Sequence, residues 1–396
     1  WLKCALVLDV VIASVPASMV SWPVIALSAI VLVVALYFSE LDLAAPLYAL
    51  SDLMDRKLYA RFIEDCDPLS STSTAGDDGS TGAQTGALHV VYPVATSFPG
   101  LLSSMLSVTR HLESPGECVI HIIVADSQKF DTARRIADCF EVELDALAAS
   151  PTVKIHTMRS VPFNFSSFSE VWESSGFQRN SPWFPSDYAL LYVPEYVLDA
   201  SRAVWLNPNT IVKADLSKLA SMPMRHAVAA ARDMKSVTWR SEYERMLDDL
   251  DDSLLKRVSD VGARLFNMGV LVLDLERWRA ENITGKLEAW VERLYGIGDA
   301  ELAANIEFLE NFDVIDWRWH VYIIPSPQPP SQCIDEARIF HWLGLYPWSE
   351  HISPQYNEIY SKLTGPSDFL QRCKWNVTGL MLDSDVDVDI PGLAAE

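Results

Sequence analysis

From Leu88 onward, apolar runs of strand length alternate with stretches of helical spacing, and this alternation restricts the fold more than any other feature of the chain. His89 to Pro93 reads as a strand, followed by a loop and a helix that ends near Leu112. A second strand ends at Ala125-Asp126, Asp131 to Leu147 has helical spacing, and Val153 to His156 forms a third strand. Strands separated by helix-length segments pair in parallel through right-handed crossovers, which predicts an α/β half-domain of nucleotide-binding type. The pattern alone names no function. With 396 residues, 49% of them hydrophobic, the chain can bury one domain of catalytic size and carry appendages besides.

The next segment, Tyr188 to Leu219, is the one around which a site can form. Trp183 to Ala200 reads as a helix, and Ala203 to Leu206 is a short apolar run that stops at Asn207-Pro208-Asn209. A second apolar pair, Ile211-Val212, and a helix-start signal at Asp215 follow. A buried strand halted by a proline turn puts the two asparagines at the carboxyl end of a sheet strand, the edge at which open α/β sheets bind ligands.

Ser236 to Val261 is a charged, helix-favouring insertion, and its acidic run Asp248 to Asp252 reads as a solvated face. Gly269 to Leu273 reads as a buried strand, Asp274 as the N-cap of the following helix and Glu276 as first-turn charge. Leu275, Trp278, Leu287 and Trp290 are expected to face the sheet. A helix from Ala300 to Leu309, an extended stretch from Ile315 to Pro325 and the aromatic run Phe340 to Trp348 complete the domain.

The ends of the chain have a different character. Val10 to Phe38 carries no charge, and Trp22 to Phe38 is long and apolar enough to span a bilayer core of about 30 Å. Lys3 before this span, with Glu40 and Asp42 after it, favours a cytosolic N-terminus. The expected organisation is an anchor over residues 1–40 with its span at about 22–38, a partly disordered stem over 41–86, a domain over 87–365 and an acidic tail over 366–396. A net charge of −22 argues against a nucleic-acid partner. Six cysteines without a Cys-x-x-Cys pair argue against zinc, and one or two disulfides fit an oxidising lumen. Asn164 and Asn376 head acceptable glycosylation sequons, whereas Asn282 heads one at a helix.

Three separated pieces resemble the family 8 glycosyltransferases in order and spacing. Tyr188 to Leu219 resembles that family's Tyr-Ala-Arg-Phe-x-x-Pro helix and the Asp-x-Asp turn after it. Leu265 to Thr284 looks like its Phe-Asn-x-Gly strand and Leu-x-x-Trp-Arg helix, and Phe340 to Trp348 its His-x-x-Gly-x-x-Lys-Pro-Trp motif. Trp319-His320-Val321 brings the plant galacturonosyltransferases nearest. The resemblance implies a single glycosyltransferase-A-type, Rossmann-like domain with a mixed, mostly parallel sheet, behind the N-terminal membrane helix. It implies retaining transfer of a hexosyl or uronosyl group from a UDP-sugar to a glycan, with Mn²⁺, in the Golgi lumen. Carried over residue by residue, the donor site comprises Asn207, Asn209, Asn267, Gly269, His341, Gly344 and Tyr346, and the metal ligands are Asn207, Asn209 and His341.

The departures from the family fall where its chemistry sits. Asn207 and Asn209 stand for the two metal aspartates, Tyr346 for the phosphate-binding lysine, Leu190 for the arginine and Ala95 for an aspartate after the first strand. Asparagine can ligate through its carbonyl oxygen but brings no charge, so Mn²⁺ affinity should fall. His341 is a third ligand or a structural histidine. Asn267 and Gly269 contact sugar or shape a strand entry. Lys213 is a replacement cation or a surface lysine. Asn305 lies near the family's Asp-Gln-Asp-x-x-Asn run, whose acids are not assignable between Asp299 and Glu301. Three functions follow: an active transferase, a catalytically silent relative that binds a glycan or a partner transferase, or a metal-independent transferase using basic side chains, for which Lys213 and Arg202 are the cations near the turn.

Overall fold

β1 (Leu88–Val94) is buried at every position because layers of structure cover both of its faces. The computed structural model describes residues 86–94, 98–125, 127–144, 150–161, 185–232, 265–294, 300–309, 311–323 and 331–342. The span at 22–38, the stem, the insertion at 236–261 and the acidic tail lie outside the described residues. Among those described, no helix is long and apolar enough to cross a membrane.

After β1 come α1 (Phe98–His111), β2 (Cys118–Val124), α2 (Ser127–Leu144) and β3 (Thr152–Thr157). β1 pairs in parallel with β2, and β2 with β3. A 3₁₀ stretch (Pro185–Tyr192) and the short α3 (Val193–Tyr196) lead to β4 (Arg202–Leu206), β5 (Thr210–Val212), α4 (Leu216–Ala220) and β6 (Val228–Arg232). β7 (Phe266–Asp274), α5 (Leu275–Ala280), α6 (Ile283–Arg293) and α7 (Ala300–Phe308) follow. The described chain closes with β8 (Asp313–Val314), β9 (Val321–Ile323), α8 (Ser331–Glu336) and β10 (Ile339–Trp342).

Seven strands form the main sheet in the order β3-β2-β1-β4-β7-β6-β8. Only β7 runs against the rest, so the sheet is mixed and mostly parallel. Side chains alternate between its faces as a strand requires. Val204 and Leu206 of β4 join Val270 and Val272 of β7 under α1 and α2, while Trp205, Leu271 and Leu273 meet Trp278, Leu287 and Val291 on the other face. On α1, the stripe Leu101, Met105 and Val108, continued by Leu112 just past its end, follows the helical repeat and seals the first layer.

Both cap signals read from the sequence are in place. Asp274 accepts the Arg277 N–H at 2.9 Å and Asp215 accepts the Ser217 N–H at 2.8 Å, each satisfying an otherwise orphan donor of a first helical turn.

Two local expectations need correction and a third is refined. The helix expected over Trp183 to Ala200 is the 3₁₀ stretch followed by a single α-turn. Tyr188 to Val193 is buried on all sides, so tertiary packing rather than an amphipathic stripe sets its path, and Pro194 has no N–H to continue an α-ladder. The stretch expected to be extended from Ile315 is interrupted by a 3₁₀ turn at Trp317–Trp319, where Asp316 accepts the Arg318 N–H. Trp290 packs against the core around Trp278 but is only partly buried. Leu287, Val291 and Leu294 form the buried stripe of that helix, and Trp290 lies beside it with Nε1 donating to Glu307 at 2.8 Å.

One feature of this layer is visible only in three dimensions. His89, His121 and His156, on three adjacent strands, point to one face of the sheet and form a chain of two hydrogen bonds, each 3.0 Å. Their rings stack in sequence. Burial lowers the pKa of all three, and that of His121, flanked by the other two and by Lys154, falls to about 3.

Candidate functional site

The site begins where β4 runs out. Asn207 extends the ladder by one bond, its N–H donating to the Gly269 carbonyl at 2.8 Å, and Pro208 then turns the chain. The Asn207 side-chain oxygen accepts the Asn209 N–H at 3.0 Å, an Asx-type closure of the turn. The Asn207 carbonyl accepts from the Thr210 N–H at 3.1 Å and the Thr210 hydroxyl at 2.8 Å. Because that hydroxyl donates to the carbonyl, it receives from Ser104, which in turn receives from Tyr92, each bond being 3.0 Å. Ser107 on the next turn of α1 accepts the Val212 N–H at 2.9 Å. The turn is therefore held from below by a directed chain of buried hydroxyls.

β5 does not stay in the main sheet. It starts a second one, in the order β5-β10-β9, and its antiparallel register sets His341 opposite Thr210. The Trp342 N–H donates to the Asn209 carbonyl at 3.0 Å, tying the second sheet to the turn. His341 thereby arrives against Gly269 of β7. A Cβ at Gly269 would overlap Cε1 and Nδ1 of that imidazole and lie 2.9 Å from the Asn267 side-chain oxygen. This position needs glycine for close approach, not for backbone conformation. His341 Nδ1 lies 2.9 Å from Nε2 of His320, whose ring stacks on it, and both rings are buried. Burial and the adjacent His341 push the His320 pKa well below its usual value, which keeps this imidazole neutral.

Asn267 is committed at both ends of its amide. Its oxygen accepts the Gly269 N–H at 2.8 Å and its nitrogen donates to Glu301 at 3.2 Å. Behind it, the buried Asn305 bonds both the N–H and the carbonyl of Phe266 and also reaches the Glu301 carbonyl. Asn267 and Asn305 thus fix the entry of β7, and Glu301, in the first turn of α7, is the carboxylate they bring to it.

Of the residues expected at the donor site, the fold brings together Asn207, Asn209, Asn267, Gly269 and His341. Gly344 and Tyr346 lie outside the described residues, as do Ala95 and Asp299. Leu190 is wholly buried in the apolar core. The two cations nearest the turn in sequence are engaged elsewhere. Arg202, at the opposite end of β4, donates to the carbonyls of Ala220 and Met222, and the Lys213 ammonium reaches the Ile334 carbonyl above the Phe340 ring. Sequence reasoning missed the pairing of His320 with His341 and left Glu301 unassigned. The adjacent Trp319-His320-Val321 triplet was a signal for the first.

Asn207, Asn209 and His341 do not have the donor chemistry of a Mn²⁺ site. All are uncharged ligand types, and the Asn207 oxygen already serves the Asn209 N–H. Among the described residues, no group of three or more His, Cys, Asp or Glu side chains could hold a metal ion.

Gly269→Ala tests the close approach. It should cost about 1–3 kcal/mol of stability, because β7 and β10 must separate to admit the methyl group. The urea midpoint measures the cost, and an unchanged midpoint would mean that His341 does not sit against this glycine.

Residues 98–351 match the model of a family described as glycosyl transferase family 8. The chain is 29% identical over 208 residues to glycosyltransferase 8 domain-containing protein 1 of Xenopus tropicalis, covering 46% of this chain and 55% of that protein. It spans about half the length of the animal relatives it matches. It is 23% identical over 317 residues to probable galacturonosyltransferase-like 10 of Arabidopsis thaliana, covering 76% of this chain and 80% of that protein. Among solved structures, the apo form of the bifunctional glycosyltransferase WbbM superposes with a TM-score of 0.50 at 17% identity, covering 74% of this chain and 52% of that one. At that identity the likeness concerns the fold alone.

Proposed function

The chain belongs to glycosyl transferase family 8, and on that premise we propose that it is a retaining transferase moving a hexosyl or uronosyl group from a UDP-sugar to a glycan. The observation that carries this reading is the convergence of the Asn207–Asn209 turn, Gly269 and His341 at the carboxyl edge of β4, where an open α/β sheet takes its ligand. The name of the plant relative, a probable galacturonosyltransferase-like protein, supports a uronosyl donor among the choices.

The chain's own residues act by position. The buried hydroxyl chain from Tyr92 and the bond from Trp342 hold the turn rigid, so its side chains meet the donor without reorganisation. The absent Cβ of Gly269 lets the sheet edge approach His341 closely. Asn267 orients Glu301 toward the same edge, where a carboxylate can hydrogen-bond a sugar hydroxyl.

The proposal includes anchoring by the helix at 22–38, with the domain from about residue 39 onward in the Golgi lumen. Cys139 and Cys333 are both disulfide-bonded, which supports an oxidising compartment, while the buried Cys118 is free.

Microsomes containing the full chain provide the test. The domain should resist protease until detergent is added. One of a set of labelled UDP-hexoses and UDP-uronic acids should lose its sugar to a glycan acceptor. Glycan binding with no UDP release from any donor would replace this reading by the silent, glycan-binding one, and digestion without detergent would overturn the topology.

A further inference from the structure

Asn207 is oriented by its own turn. A backbone N–H requires an acceptor, so the amide atom facing the Asn209 N–H is the oxygen, and the planar amide then directs Nδ2 away from the turn. Among the described residues Nδ2 has no protein partner. An aspartate here would present a second anionic oxygen in that direction, an atom that attracts a cation. The asparagine presents an N–H donor there instead, an atom that attracts an anion.

We propose that the Asn207–Asn209 turn holds the diphosphate of a nucleoside-diphosphate donor directly, as an uncharged hydrogen-bond-donor site with no divalent cation between protein and phosphate. The identity of the anion rests on the nucleotide-sugar reading above; the polarity of the site rests on the geometry of the turn. Charge balance supports it. Two aspartates with a divalent cation sum to zero, and so do two asparagines with none, so the phosphates meet the same formal charge in both designs. Two asparagines with a cation would leave its charge uncompensated by the protein, held only by neutral ligands against its own hydration.

Calorimetry of the full chain in detergent, with UDP and with inorganic pyrophosphate, decides the matter. The native protein should bind UDP in excess EDTA, and adding Mn²⁺ should change Kd by less than about twofold, within ~0.4 kcal/mol. Asn207→Asp should weaken binding in EDTA by about tenfold or more, because a carboxylate oxygen then faces the phosphate. Asn207→Ser, whose hydroxyl can still accept the Asn209 N–H, controls for folding and should weaken binding without any gain in Mn²⁺ affinity. In the Asn207→Asp/Asn209→Asp protein, loss of the free Mn²⁺ resonance signal on titration with the metal alone should reveal a cation site that the native chain lacks. If native UDP binding requires Mn²⁺, the inference fails while the nucleotide-sugar reading stands. If UDP binds under neither condition, both fail. If UDP binds in EDTA and Asn207→Asp leaves it unchanged, the nucleotide sits elsewhere and the inference fails alone.

Discussion

Truncation of Trp278 to alanine is expected to cost about 3–5 kcal/mol of stability, a large share of what holds a domain of this size. The indole is buried, on the first turns after β7, and contacts Phe308 of α7 at a ring separation of 5.9 Å. Its Nε1 donates to the Thr284 hydroxyl at 3.1 Å, and that hydroxyl donates onward to the Leu191 carbonyl at 2.6 Å. One side chain thus joins α5, α6, α7 and the buried 3₁₀ stretch. Trp278→Phe should recover part of the loss, since it restores ring packing but leaves Thr284 without its donor. Urea unfolding measures both. A normally stable Trp278→Ala protein with altered glycan binding would make this residue a sugar-stacking surface and not a core anchor.

The histidine chain should make the domain acid-labile. Each of its groups has a lowered pKa in the folded state, so the unfolded chain binds more protons than the native one once the pH falls below the ordinary histidine value. The stabilising contribution is fully present above about pH 6.5 and is lost progressively as the pH falls toward the folded value of about 3 for His121. A single group contributes a slope approaching about 1.4 kcal/mol per pH unit within that window. The hydrogen-bond pattern gives the same sign. A chain of three imidazoles joined by two bonds accommodates one extra proton, but a second sets N–H against N–H across one of the bonds. Lys154 adds to the resistance against protonation of all three, Asp199 opposes it at His89, and Tyr196 packs on the His156 ring. Urea midpoints between pH 7 and pH 4.5 should therefore fall more steeply for the native chain than for His121→Asn. Capping carboxylates such as Asp215 and Asp274 are common to both proteins, so the difference isolates the histidines. Parallel pH profiles for the two would remove the chain from any account of acid stability.

Much of the candidate site could be read before any fold was known, because its parts are local. A strand halted at Asn207-Pro208-Asn209, a cap at Asp274 and a buried strand through Gly269 all follow from neighbours in the chain, and so does the placing of the asparagines on the binding edge. What a pair of asparagines does there was not legible. That depends on which amide atom faces the Asn209 N–H, and a side-chain rotation that residue type leaves open decides it.

Read from the chain alone, the order of elements from β1 to β3, the strands β4 and β7 and the helix starts at Asp215 and Asp274 were legible, since each rests on interactions among residues a few positions apart. Packing between layers set the rest: β5 leaves the main sheet for a second one, its register with β10 sets His341 against Gly269 beside His320, and three histidines from three strands share one face. It also decided that Tyr188 to Val193 winds as a 3₁₀ stretch, where burial on every side overrides local propensity. Long-range register carries no local signature, because residues distant in the chain meet only after the packing of whole layers has selected one pairing from many that the same pattern of apolar residues would allow.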